Sequence, residues 1–211
     1  MKLHIICSAI AAITLSASAM AQITESLPAP DRTGGLPLMQ TLDRRYSVRE
    51  FDSARALSRQ QISDLLWATA GVNRKQSGKR TNPTARDARD ISVYMLDTTG
   101  AYLYNPVDNT ITKVADGDHR ALLAGGQKFV LQAPVSFLFV ADLNKFSGSP
   151  RALTMAAIDA GIACENLNLY CTSAGLATVP RATMDTDALS SLLGLTDKQI
   201  PLLNNPVGYA K

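Results

Sequence analysis

The sequence predicts a domain of mixed helix and strand, class α+β, on three observations. Ala101-Tyr102-Leu103-Tyr104 and Thr110-Ile111-Thr112-Lys113-Val114 alternate with a period of two on either side of Asn105-Pro106-Val107-Asp108-Asn109, the patterning and turn chemistry of a hairpin. Val135-Ser136-Phe137-Leu138-Phe139-Val140 is β-rich and nearly all apolar, as a strand covered on both faces must be, so residues 134–141 belong at the centre of a sheet. From about Thr154 to Ser173 runs the longest helix, apolar around most of its circumference through Met155, Ile158, Ile162, Leu167, Leu169 and Tyr170. Such a helix is either central or an oligomer interface.

The other elements follow in order. Residues 1–21 read as a cleaved signal peptide: Lys2 gives the positive start, Leu3 to Leu15 is apolar or small, and Ala19-Met20-Ala21 precedes Gln22 as a small-x-small cleavage site. The apolar run is shorter than the ~20 residues that span a bilayer, which leaves a retained anchor as the weaker alternative. Residues 22–37, with Pro28, Pro30 and Gly34-Gly35, read as a flexible leader, and order is expected from Leu38. Ser58 and Gln61 form a capping box for a helix carrying Ile62, Leu65, Leu66 and Ala70 on one face and ending at Gly71. Asn73 to Asp90 is polar, basic and irregular, and leads into a strand at 91–96. A helix is expected from about His119 to Gln132, an extended segment from Leu176 to Val179 beyond a Gly175 cap, a short helix over 185–193 and a terminal strand over 206–210.

About 190 residues remain after signal cleavage, enough for one domain, here 38–211, with a sizeable core. A formal charge of +3 and 6% aromatic residues give no basis for a nucleic-acid groove or a membrane patch. Cys164 and Cys171 are two helical turns apart, about 10 Å, too far for a disulfide, and read as buried thiols. No metal site is expected, because His119 is the sole histidine after processing. No Ser-His-Asp or Cys-His pair suggests hydrolysis, and no G-x-G-x-x-G follows a strand.

Arg44-Arg45-Tyr46-Ser47-Val48-Arg49-Glu50-Phe51 packs three guanidiniums and a hydroxyl into six residues. Arginine's planar fork matches phosphate oxygens and Ser47 adds a short hydrogen bond, so the run reads as an anion clamp. It also reads as an amphipathic stretch with Tyr46, Val48 and Phe51 inward and the arginines solvated.

Four segments in order resemble the nitroreductase superfamily of flavin-dependent oxidoreductases, over essentially all of Leu38 to Lys211. They are the arginine run, similar to that family's Arg-Arg-Ser-x-Arg-x-Phe with Tyr46 inserted; Pro83-Thr84-Ala85; Gln127-Lys128-Phe129 with Ala133-Pro134; and Ala157-Ile158-Asp159-Ala160-Gly161-Ile162-Ala163-Cys164-Glu165-Asn166-Leu167 with Gly175-Leu176-Ala177-Thr178-Val179. The tyrosine-bearing hairpin is similar to the branch containing azoline oxidases, and is equally an ordinary edge element.

The resemblance implies a three-layer sandwich, a mostly antiparallel central sheet flanked by helices, in an intertwined homodimer with FMN at the interface. It implies that Arg45 and Arg49 flank the FMN, one at the phosphate and one toward the pyrimidine edge, with Tyr46 beside them and Ser47 on ribityl or phosphate oxygens. Pro83, Thr84 and Ala85 from the other subunit would contact the ring. Asp87, where many relatives carry Asn, would accept from the flavin N3 proton, and Lys128 would reach the pyrimidine edge. In the turn Pro180-Arg181-Ala182-Thr183 a backbone amide of Ala182 or Thr183 would face flavin N5; Thr183 stands where many relatives have Gly. The family's late basic residue has only Lys211 as a counterpart. The activity implied is ping-pong transfer from a small-molecule donor to nitroaromatic, quinone-like or other small acceptors, with the protein supplying position and field. Export, to the periplasm by the signal, separates the protein from cytoplasmic nicotinamides. A second reading therefore stands beside the enzyme: an exported flavin-binding or electron-transfer module without turnover.

Overall fold

The computed structural model describes residues 23–211, so the signal-peptide expectation lies outside the described residues. Its elements are β1 (Thr24–Ser26), α1 (Leu38–Arg44), α2 (Arg59–Ala70), β2 (Val72–Arg74), β3 (Lys79–Arg80), β4 (Ile91–Leu96), β5 (Gly100–Asn105), β6 (Thr110–Asp116), α3 (Arg120–Ala124), β7 (Val135–Asp142), α4 (Ala152–Ser173), β8 (Ala177–Thr178), α5 (Thr186–Leu193) and β9 (Gln199–Gly208). Seven strands form one sheet in the order β1-β6-β5-β4-β7-β9-β8, every pair antiparallel. β7 lies inside it, hydrogen-bonded to β4 on one side and β9 on the other.

Alternation along β4 and β7 sends side chains to two cores. Val93, Met95, Phe137 and Phe139 pack with α2 and α4 residues such as Leu65, Leu66, Ala160 and Leu167. Tyr94, Leu96, Leu138 and Val140 pack with Leu123 of α3 and Leu189 of α5. The result is the expected three-layer sandwich, and the near-continuous apolar run of β7 follows from its two covered faces.

α2 begins as the sequence predicts. Ser58 accepts from the Gln61 N–H at 3.2 Å and the Gln61 side chain accepts from the Ser58 N–H at 2.9 Å, satisfying two of the first-turn donors. α4 ends in a left-handed Gly175, with Leu176 N–H on Cys171 O (2.7 Å) and Gly175 N–H on Thr172 O (3.3 Å), the Schellman arrangement. Cys164 and Cys171 are buried free thiols.

Three expectations are corrected. The helix over 119–132 is two pieces, α3 and a 3-10 turn over Lys128–Gln132, because Gly125 and Gly126 take φ of +52° and +85° between them. The leader is tied down from Thr24: β1 pairs with β6, Leu27 is buried, and Pro28 O accepts from the Ser63 hydroxyl at 2.6 Å. The terminal strand starts seven residues early, at Gln199, because β7 offers its whole edge to pair.

Gly125 also marks a close approach. A Cβ there would stand 2.6 Å from the Thr183 methyl. Gly125→Ala should cost about 1–3 kcal/mol, from the left-handed backbone and the clash together. The urea midpoint reads this directly; an unchanged midpoint would mean that the 125 and 183 turns are not packed as described.

Candidate functional site

The arginine run leaves α1 and extends alongside β8 and the C-terminus. Val48 N–H donates to Thr178 O and Asp52 N–H to Tyr209 O, both at 2.9 Å, and Lys211 N–H donates to Glu50 O at 3.3 Å. Arg44, Tyr46 and Val48 line a cleft of about 400 Å³ with Thr172, Ser173 and Gly175 at the end of α4. Arg45 is half-exposed, and Ser47 and Arg49 are exposed. Among the described residues, none of Arg44, Arg45, Ser47 and Arg49 makes an ion pair or side-chain hydrogen bond. Their donors are free. Tyr46 is 68% exposed, against the expectation that it turns inward, whereas Phe51 is buried and Val48 packs against it. Lys211 is exposed beside Glu50, and so next to Arg49 along the chain.

The post-helix turn lies at the same end of the sheet. Phe129 joins it to the arginine run: its ring stacks on Phe51 at 6.5 Å and lies 5.6 Å from the Arg181 guanidinium. Lys128, immediately before it, is exposed. The Arg181 side chain is not available to a ligand, which corrects its assignment to the cofactor. It is buried, donating to Leu123 O (2.7 Å), Ala124 O (2.8 Å), Asn204 Oδ1 (2.6 Å) and Gln127 Oε1 (2.9 Å). Burial pulls this guanidinium below its ordinary value. Its backbone is also engaged, exchanging hydrogen bonds with Asn204 at 2.8 and 2.7 Å. Ala182 and Thr183 are exposed, and among the described residues their N–H groups meet no acceptor. Pro180 ahead of them is exposed as well.

Pro83, Thr84 and Ala85 sit elsewhere. The Ala85 N–H donates to both oxygens of Asp159, at 3.0 and 2.8 Å, in the first half of α4. The arginine run lies at the other end, against Thr172 and Ser173. Thirteen residues of helix separate Asp159 from Thr172, about 20 Å at 1.5 Å per residue. One chain does not bring the loop to the clamp. Beyond Ala85 the chain is unusual: Arg86, Asp87 and Arg89 all take left-handed φ, of 58°, 54° and 51°. Asp87 does not present a free carboxylate, since Arg89 pairs with it at 3.1 Å and holds it below the usual carboxylate range. A neutral amide at this place would accept from a ring N–H without that competition.

Sequence reasoning missed Asp159 and Asp90 as functional candidates. Both are buried, and among the described residues the Asp90 oxygens are joined to no other residue by a hydrogen bond. Burial first, and the neighbouring Asp159 after it, push the Asp90 carboxyl up to about 7, with its own backbone N–H and, less, Arg80 pulling the other way. The available signal was a carboxylate inside an otherwise apolar helix.

The model of the nitroreductase family matches residues 42–209, and the chain belongs to that family. A candidate nitroreductase from Ralstonia eutropha JMP134, known as a crystal structure, is 39% identical, with a TM-score of 0.83 over 89% of this chain and 90% of that one. The "FMN reductase [NAD(P)H]" of Bacillus subtilis strain 168 is 30% identical over 146 residues, 60% of this chain and 58% of its own length. A chain of the Escherichia coli microcin synthetase McbBCD complex shares the fold at 19% identity, with a TM-score of 0.72 over 97% of this chain and 85% of that one. The hairpin tyrosines behind the azoline-oxidase resemblance, Tyr102 and Tyr104, are core residues here, and the Tyr104 hydroxyl donates to Asn109 at 3.0 Å.

Proposed function

We propose that the protein is an FMN-dependent oxidoreductase that works as a homodimer. The observation that carries this is the division of the candidate residues between the two ends of α4, with the unpaired cations at one end and Pro83 to Ala85 at the other. A second copy of the chain supplies the loop that each clamp lacks.

The residues present fit a flavin mononucleotide. Arg45, Ser47 and Arg49 offer free donors within five residues of chain, and among the described residues the exposed amides of Ala182 and Thr183 offer a donor that no other group claims. FMN, when bound, supplies hydride chemistry at N5. Arg45 and Arg49 would flank the FMN, one at the phosphate and one toward the pyrimidine edge, Lys211 would add charge near the phosphate and Lys128 toward the ring, and Pro83, Thr84 and Ala85 of the second copy would cover it. Fixed positive charge and backbone donors favour a ring that gains negative charge, without reorganising at the moment of transfer. Donor and acceptor take turns at the open face, the acceptors being nitroaromatic, quinone-like or other small oxidants. In the exported, periplasmic setting that residues 1–21 suggest, turnover would need a reductant other than a cytoplasmic nicotinamide or an oxygen-linked oxidase reaction; in the cytoplasm a nicotinamide would serve.

The test is the absorbance spectrum of the purified protein, followed by denaturation and mass analysis of what is released. Noncovalent FMN is expected, and anaerobic addition of NADH or NADPH should bleach it if nicotinamides serve as donors. A colourless protein that FMN cannot reconstitute overturns the reading. Bound FMN that neither nicotinamides nor dithionite-reduced mediators can cycle with an acceptor favours the binding module instead. Arg49→Ala should weaken FMN binding about 10- to 100-fold, the equivalent of one charge-assisted contact. Fluorescence titration measures it, and unchanged affinity returns Arg49 to the solvated face.

A further inference from the structure

Beneath the Pro83–Ala85 loop lies a pair of buried carboxyls that the proposed chemistry does not use. Asp159 is 2% exposed and Asp90 1%. Asp159 spends both oxygens on a single backbone donor, the Ala85 N–H. Asp90 closes the far end of the same loop, where β4 begins, and its backbone O accepts from the Asp142 N–H at 2.9 Å. Between these two anchors the chain holds three non-glycine residues in the left-handed region, a conformation that L-residues keep only when their surroundings over-determine it. Thr84 Oγ1 adds one more tie, accepting from the Arg89 N–H at 2.9 Å. Asn82, just before the loop, is buried with neither amide atom partnered.

Two ionised carboxylates side by side in such a place repel, and among the described residues no hydrogen bond from another residue reaches the Asp90 oxygens to offset the charge. One proton between them resolves both problems. Carried by Asp90, it leaves Asp159 ionised and able to grip the amide. We infer that Asp90 and Asp159 form a proton-sharing pair in which Asp159 is the positioning residue for the Thr84–Ala85 peptide, so that the loop's presentation to the flavin is gated by the proton on Asp90. The inference that the loop presents to flavin rests on the proposed function; the gating of the loop itself does not.

The charged groups facing Asp90 are Asp159 from α4 and Arg80 from β3, and Arg80 in turn faces Arg89, Asp87 and Tyr104. Asp90's own backbone N–H and, less, Arg80 favour the ionised form but are outweighed by burial and Asp159, which sets the direction. The closed loop binds the Asp90 proton more tightly than an opened loop with hydrated carboxyls. Closure is therefore favoured below about pH 7, and the preference is lost as the pH rises through it.

The experiment is hydrogen exchange of the 82–90 segment in the full chain without added flavin, between pH 6 and 8, corrected for the chemical exchange rate. Protection at Ala85 should fall about 10-fold across that range in the natural protein and by less than about twofold in Asp90→Asn, which cannot lose the proton. Asp159→Asn should lose protection at both ends of the range; if that variant does not fold, Asp90→Asn decides alone. A pH step that persists in Asp90→Asn, or an Ala85 amide equally protected in a folded Asp159→Asn, overturns the inference. FMN titration at the same pH values is the second arm. Weaker binding at pH 8 than at pH 6, absent in Asp90→Asn, ties the loop to flavin. An exchange step with no flavin binding at any pH leaves the pair standing and removes the functional reading.

Discussion

Replacing Arg181 with alanine destabilises the fold by about 3–5 kcal/mol, an effect expected from a buried charge that serves several acceptors at once. The guanidinium reaches Leu123 O and Ala124 O, the last carbonyls of α3, together with Asn204 Oδ1 of β9 and Gln127 Oε1. Carbonyls at a helix C-terminus have no partner within the helix and carry its negative end, so they compensate a cation without any carboxylate. Alanine would leave those acceptors buried and unpaired and open a cavity beside Phe129. Lysine would recover little, because a point charge with three donors cannot match a planar fork spread over four oxygens. Urea unfolding of Arg181→Ala and Arg181→Lys, with far-ultraviolet circular dichroism as the signal, is the measurement. A loss below about 1 kcal/mol would show that the four contacts are made as well by water.

The same residue shows where the sequence stops being legible. Arg181 and Arg45 are the same letter in comparable polar turns, yet one is interior and the other half-exposed. What separates them is the open C-terminus of α3, which exists only because Gly125 and Gly126 break the helix, and which reaches Arg181 only because β9 pairs along β7. Local signals fared better. The Ser58–Gln61 box, the apolar run of β7 and the Gly175 cap all rest on interactions within a few residues or on burial of both faces. β1 was illegible for the opposite reason: Thr24 to Ser26 has no strand pattern of its own and is held by the edge of β6. The arginine run was legible as a chemistry, and its free donors fit a clamp and a solvated face alike. Asp159 was not, since a carboxylate's worth here depends on one amide seventy-four residues away in sequence.

Ile158→Glu should convert the proposed dimer to a monomer at micromolar concentration. In the single chain, Ile158 is 55% exposed and Leu153 51%, with Ala157 and Gly161 exposed on the same stretch of α4. α1, packed against α4, adds Met39 at 76%, with Leu38 and Leu42 also exposed. Large apolar side chains exposed on two contacting helices, Leu153 and Ile158 toward the start of α4 and the α1 group near its end, are what an extended interface requires and what a lone soluble chain avoids. Covering Ile158 removes it from water on both sides; a carboxylate there would be desolvated without a partner, raising the dimer dissociation constant about 100- to 1,000-fold. Because Pro83 to Ala85 and the arginine run sit about 20 Å apart on one chain, the monomer should also lose FMN although no flavin-contacting residue has changed. Light scattering over a dilution series, with and without added FMN, reads both effects. Ile158→Ala is the control for folding, since it trims the contact without burying charge. A stable monomer that keeps full flavin occupancy would contradict the interface and the shared site together, and would require one chain to close its own loop onto its own clamp.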